Sequence, residues 1–164
     1  MSAPAPPNAP VDAAYASPND GQVQARGTRL SRIVWFFLWA IPLAIVITAT
    51  TITPAAEGHG THTQLGLPPC GFLQATGIPC PGCGLTTSFA HMVRFQFTGA
   101  SMANAFGVAL FLVSVFAIPV GIYAMVRGLP VFETLERLQF EKIVVMLAVC
   151  STLVWVIRVG NILL

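Results

Sequence analysis

Charge is what this chain has least of: Asp, Glu, Lys and Arg together make up 9% of its 164 residues, roughly a third of the share in a soluble domain. A water-exposed surface cannot be covered at that density, so a soluble globular fold is excluded. A net charge of only +2, with no basic patch interleaved with aromatics, excludes nucleic acid as a partner. Several catalytic constellations are missing as well. Ser, His and Asp nowhere stand in a nucleophilic arrangement, and there is no phosphate-binding glycine loop. No carboxylate lies within sequence reach of His91 to make it a base, so a hydrogen bond to a neighbouring loop is the expected role of that ring. No internal repeat is visible.

What the chain does have is hydrophobic residues, 55% of the total, gathered in runs. The first run, 33–53, is long enough to cross about 30 Å of hydrocarbon at about 1.5 Å per residue. It starts too far from Met1, and lacks too clearly a small-residue cleavage site, to be a removed signal peptide. Trp35 and Trp39 near its start suit a membrane interface. The second run, 101–126, is interrupted only by Asn104 and Ser114, and the third, 143–163, carries Cys150 near its middle and Arg158 toward its end. Pro42 and Pro119 mark expected kinks. The pattern predicts an all-α integral membrane protein with three transmembrane helices, comprising residues 29–164 behind a disordered tail, 1–28, rich in Ala, Pro, Ser and Asn.

Basic residues set the expected orientation. Arg26, Arg29 and Arg32 precede the first span, and Arg127, Arg137 and Lys142 lie between the second and third, against Arg94 and Arg158 on the other side. That asymmetry predicts a cytoplasmic amino terminus, with the loop 54–100 and the carboxyl terminus extracytoplasmic. Arg158 is then expected to snorkel toward the outer boundary, or to contact Asn161 or a partner protein. Arg94 is expected to mark the outer interface or touch lipid headgroups. In the cytoplasmic connection, Val131, Leu135 and Leu138 fall at helical intervals with Glu133, Glu136 and Arg137 between them. This predicts a surface-lying amphipathic helix or the first turns of a longer third helix.

The outer loop reads Cys70-Gly-Phe-Leu-Gln-Ala-Thr-Gly-Ile-Pro-Cys80-Pro-Gly-Cys83-Gly-Leu-Thr-Thr-Ser-Phe. Beyond it, Leu85, Phe89, Met92 and Val93 line one side of a predicted short amphipathic helix over 85–97, and Thr87, His91 and Arg94 another. If that helix begins near Cys83, the thiol stands at the positive end of the dipole, which favours its thiolate.

The segment Cys80-Pro81-Gly82-Cys83-Gly84-Leu85-Thr86 resembles the signature Cys-Pro-x-Cys-Gly-x-Thr of an uncharacterised family of small bacterial membrane proteins, the domain of unknown function 2752 family. Members carry it between a first and a second membrane helix. Cys70 matches an upstream cysteine they often have, and Asn104 falls about where many have Asn-Pro. Two positions depart: Thr87 stands where Arg is commonest, and Ala105 where Pro is common. The resemblance covers roughly residues 65–110 and implies a bacterial inner-membrane location; the family has no established activity.

Four readings of the cysteines stay open. A disulfide from Cys70 to Cys80 or to Cys83 would staple the loop on an oxidising side. Redox chemistry by the Cys80/Cys83 C-x-x-C pair fits the spacing and the constraint of Pro81, but thioredoxin strands are absent, as are the four helices and second cysteine pair of membrane quinone-coupled disulfide enzymes. A zinc or other thiophilic metal site has one knuckle here, to be completed from Cys70, His59, His62 or His91. The bland reading gives Gly82 and Gly84 to a tight turn and close packing, with Pro81, Thr86, Thr87, Arg94 and Asn104 as structural members of the motif.

The function expected from these features is a non-enzymatic accessory or assembly subunit of a larger membrane complex, requiring no cofactor, with the bilayer and other membrane subunits as partners. Three helices enclose little room for a substrate path, and mid-membrane ionisable residues are missing. Gly107, Ala109, Ser114, Ala117 and Gly121 permit close helix packing. The alternatives are a membrane thiol-disulfide oxidoreductase using Cys80 and Cys83, and a metal-binding or metal-delivery module.

Overall fold

A computed structural model describes residues 20–163, and six α-helices account for most of them. They are α1 (Asp20–Thr51), α2 (Gly71–Thr76), α3 (Leu85–Met92), α4 (Phe97–Arg127), α5 (Val131–Arg137) and α6 (Phe140–Leu163), with a single 3-10 turn at Thr61–Leu65. There is no strand among the described residues. Three segments are long and apolar enough to cross a membrane: Arg29–Thr51 in α1, Phe97–Arg127 (α4) and Phe140–Ile162 in α6. The chain is therefore an all-α protein with three membrane-spanning helices. Of the tail read as disordered, residues 1–19 lie outside the described residues. Helix α1 takes in 20–28, where Gln22, Gln24, Ala25 and Arg26 have good helix propensity.

Helices α1 and α4 form the main pair. Gly121 of α4 lets the Trp39 side chain approach so closely that an added Cβ would stand 2.8 Å from the Trp39 Cβ. Trp35, near the start of the first span, packs inward. It is buried against Ala124 and Val131, and its indole Nε1 donates to the Leu129 carbonyl at 2.9 Å. That carbonyl belongs to the linker after α4, so one tryptophan ties the start of the first span to the end of the second. The connection expected to be amphipathic is α5, whose Val131 turns inward onto this cluster. Gln139, at φ 51, separates it from α6.

Two expectations about the helices need correction. The second span begins at Phe97 rather than 101, and its one non-helical residue is Asn104 (φ −164, ψ 109), not Pro119. The backbone of α4 is thus two helical pieces meeting at an extended asparagine. Likewise, the amphipathic helix α3 does not run to 97. It stops at Met92, and tight turns close by Arg94 N to His91 O and Phe95 N to Met92 O, with Phe95 at φ 58.

Helix α6 is held differently. No residue of its apolar window is fully buried. A half-buried stripe through Ile143, Leu147, Cys150, Val154, Trp155 and Arg158 runs along it at helical spacing, with Ser151, Val159 and Gly160 also half-buried, and the other described residues of α6 are exposed.

Candidate functional site

All the chemistry-bearing side chains of the loop 52–96 lie at one end of the three spans, where α1 ends and α4 begins. Arg94 anchors this end. Its guanidinium donates to the carbonyls of Ala90 (2.6 Å), Ile52 (2.8 Å), Thr50 (3.2 Å) and Ala49 (3.3 Å). The last carbonyls of a helix have no intrahelical donors, and Arg94 supplies them for α1 with a favourable charge at the negative end of the dipole. A five-donor guanidinium is matched to such clustered carbonyls. Gln64 extends the cap by bonding both the N–H and the C=O of Thr53 at 3.0 and 2.7 Å.

The Cys-Pro-Gly-Cys turn is tightened by its own backbone, Cys83 N donating to Cys80 O at 3.0 Å. Gly84 follows at φ +88, where an added Cβ would meet Ala103 O at 2.4 Å and Gly58 O at 2.8 Å. Only glycine fits there, on both conformational and steric grounds. Helix α3 then lies on α4, with Ser88 over Gly107. Thr87 is fully buried, and its hydroxyl pairs with Thr61 at 2.8 Å. Thr61 also accepts the Ala55 amide at 3.0 Å, so this pair fastens the histidine-bearing segment to α3 without any charge.

Three membrane-helix side chains grip the turn from below. Asn104 donates from Nδ2 to the carbonyls of Pro81 (3.2 Å) and Cys83 (3.1 Å), while its Oδ1 accepts the Phe106 amide at 3.1 Å. The last bond is an N-cap for the second piece of α4, so one side chain both restarts the helix and holds the turn. From α6, Trp155 Nε1 donates to Pro79 O and Arg158 Nη1 to Cys83 O, each at 2.8 Å. Arg158 does not pair with Asn161; its guanidinium shares the Cys83 carbonyl with Asn104. Trp155 was not singled out from the sequence at all. The signal available was an indole and a guanidinium three residues apart at the end of an apolar helix.

Above the turn, the sulfurs of Cys70, Cys80 and Cys83 all lie within 4.8 Å of one another. The thiols are free, with Cys80 Sγ 3.6 Å from Cys70 Sγ and 3.3 Å from Cys83 Sγ. They line a cleft of about 770 Å³ that Glu57, His59 and His62 also border. His59 Nδ1 is engaged with the Glu57 carbonyl (2.8 Å) and His62 Nε2 with the Pro68 carbonyl (3.1 Å). His91 does not join them. Its ring packs on Gly99 and bonds the Gln96 side chain through Nδ1 at 2.7 Å, which is the loop contact expected of it.

The thiols differ sharply in acidity, and Cys83 departs from the favoured thiolate expected of it. The Leu73 amide, followed by the thiols of Cys83 and Cys80, brings Cys70 down from 9.0 to about 7. Burial, reinforced by Cys80 and Cys70, pushes Cys83 up to about 12. Position near a helix start does not rescue Cys83, because desolvation of a thiolate outweighs a partial dipole charge.

Chemically, such a cluster can bind a soft metal or exchange disulfides. Two thiolates on one tetrahedral ion, at a metal–sulfur distance of about 2.3 Å, stand about 3.8 Å apart, close to the spacings seen here. No curated protein and no solved structure matches the chain. Residues 70–118, which hold the cysteine turn, α3 and the first two-thirds of α4, match the family model described as "Protein of unknown function (DUF2752)", the family that the motif resembles.

Proposed function

We propose that this protein is a non-enzymatic accessory subunit of a larger membrane complex, and that its loop holds a thiophilic metal ion between Cys70, Cys80 and Cys83. The observation carrying this reading is the convergence of three sulfurs from two separate segments within 4.8 Å, at the wall of an open cleft. Sulfur-only sets select soft or borderline ions such as Zn²⁺ or Cu⁺. A fourth position facing the cleft suits an exchangeable ligand, and Glu57, His59 and His62 border it. An accessory role agrees with a third span whose surface is left mostly uncovered.

The proposed location is a bacterial inner membrane with the cysteine loop extracytoplasmic. Six basic residues at the opposite end support it. The two at the cysteine end, Arg94 and Arg158, are both committed to backbone carbonyls, which accounts for their departure from the charge rule.

The test is metal content. Protein purified in mild detergent, reduced and reconstituted, should bind one equivalent of Zn²⁺ or Cd²⁺, with a thiolate-to-cadmium absorption band that disappears in the Cys70→Ser/Cys80→Ser/Cys83→Ser variant. Substoichiometric binding overturns the metal reading. A second reading, dithiol–disulfide exchange, draws on the 3.3 Å approach of Cys80 to Cys83. Their oxidation to a disulfide would pass two electrons and two protons to an external disulfide, releasing it as two thiols. Reduction of such a disulfide by the metal-free protein, lost in Cys80→Ser, would favour that reading.

A further inference from the structure

The grip on the cysteine turn is divided unequally between the two membrane helices that provide it. Asn104 is fixed in α4, which packs along both α1 and α3, and its own side chain caps the helix it belongs to. Trp155 and Arg158 sit on α6, none of whose span residues is fully buried. The cysteine-side end of α6 is therefore held by a half-buried stripe and by two directed bonds, to Pro79 O and to Cys83 O. Undocking that end would strip the buried Pro79 of its indole donor and leave the Cys83 carbonyl with Asn104 alone.

Both acceptors belong to residues that set the sulfurs. Pro79 precedes Cys80, and Cys83 is itself in the cluster. A chelating set binds tightly only when its donors are held in place beforehand. Three thiolates around a divalent ion also carry a net charge of −1, and the Arg158 guanidinium lies against the backbone of one of them. Resting on the metal reading given above, we infer that α6 is the positioning arm of the cysteine site: Trp155 and Arg158 hold the ligand turn, so metal binding and docking of the cysteine-side end of α6 strengthen each other. Reciprocity is a thermodynamic requirement of that coupling. Neither residue touches the ion; both act through the turn.

The experiment uses the full chain in lipid nanodiscs with Cd²⁺ as the probe. Affinity is read from the thiolate-to-cadmium absorption, and hydrogen exchange is followed along α6 with and without Cd²⁺. Trp155→Phe and Arg158→Met should each weaken Cd²⁺ binding about tenfold, the worth of one hydrogen bond of this kind. Arg158→Lys, which keeps the charge and a donor, should recover part of the loss. In the wild type, Cd²⁺ should slow exchange at 155–163, and in Cys80→Ser it should not. Equal affinity in wild type and both variants overturns the positioning role while leaving the metal site standing. Weakened binding without any response of α6 to Cd²⁺ overturns the coupling. No binding by the wild type overturns the metal site and the inference together. Helix content by circular dichroism separates any of these from misfolding. A variant that fails to fold is replaced by Arg158→Lys, whose affinity must then fall below that of the wild type.

Discussion

Cys83 stands one residue ahead of the N-cap of α3, where a helix dipole favours a thiolate, yet it is 6% exposed and its thiol is pushed up to about 12. Cys70, on the open side of the cluster and bonded to the Leu73 amide, comes down to about 7. A lowered value means thiolate above about pH 7; a raised one means thiol throughout the physiological range. In reduced, metal-free protein at pH 8, alkylation followed by mass spectrometry should therefore modify Cys70 first, with a midpoint near pH 7, and leave Cys83 unmodified. Preferential modification of Cys83 would contradict the burial argument. Gly84 is a second residue whose identity is dictated locally. Gly84→Ala forces a Cβ into two carbonyl oxygens and should cost about 3 kcal/mol or more. Gly66→Ala, at φ +76 with open space around it, should cost only about 1 kcal/mol. Denaturation midpoints in detergent would compare the two.

Among the elements, α4 depends most on one side chain. Asn104→Ala removes both the cap on Phe106 and the two bonds to the turn, and should lower stability by about 1–3 kcal/mol. Asn104→Ser keeps a capping hydroxyl but lacks the reach to Pro81 and Cys83. It should retain most of the helix stability, yet fail to bring the sulfurs together, so Cd²⁺ binding falls while the denaturation midpoint barely moves. This difference also marks what a sequence can reveal. Three spans were legible because twenty apolar residues in a row have one explanation, and the turn was legible because its Cys, Pro and Gly spacing is local. The break at Asn104 was not, since an asparagine in an apolar run reads equally as a tolerated polar residue. The bonds made by Arg94, Trp155 and Arg158 were not legible, for a common reason. Their acceptors are backbone carbonyls between 4 and 76 residues away, and every residue has a carbonyl. The acidity of Cys83 was misjudged because its burial is set by tertiary packing, which lies beyond the local pattern.

For the molecule as a whole, the decisive feature is the separation of chemistry from charge along the membrane normal. The thiol cluster, its histidines and the Arg94 cap occupy one end; Arg32, which lies within reach of Gly128, and the α5 connection occupy the other. Between them the described spans carry Cys150 and no charged residue at mid-depth. With the bilayer as solvent, a charged impermeant reagent can reach only one end from each side. On the proposed orientation, an impermeant maleimide should label Cys70 in intact, briefly reduced cells, and on the proposed metal binding prior Zn²⁺ should protect it. Cys150, half-buried within α6, should stay unlabelled until the membrane is dissolved. Labelling of Cys70 only after lysis would invert the proposed orientation, and the proposed metal site would then face the reducing compartment, where its ion would come from the cytosol.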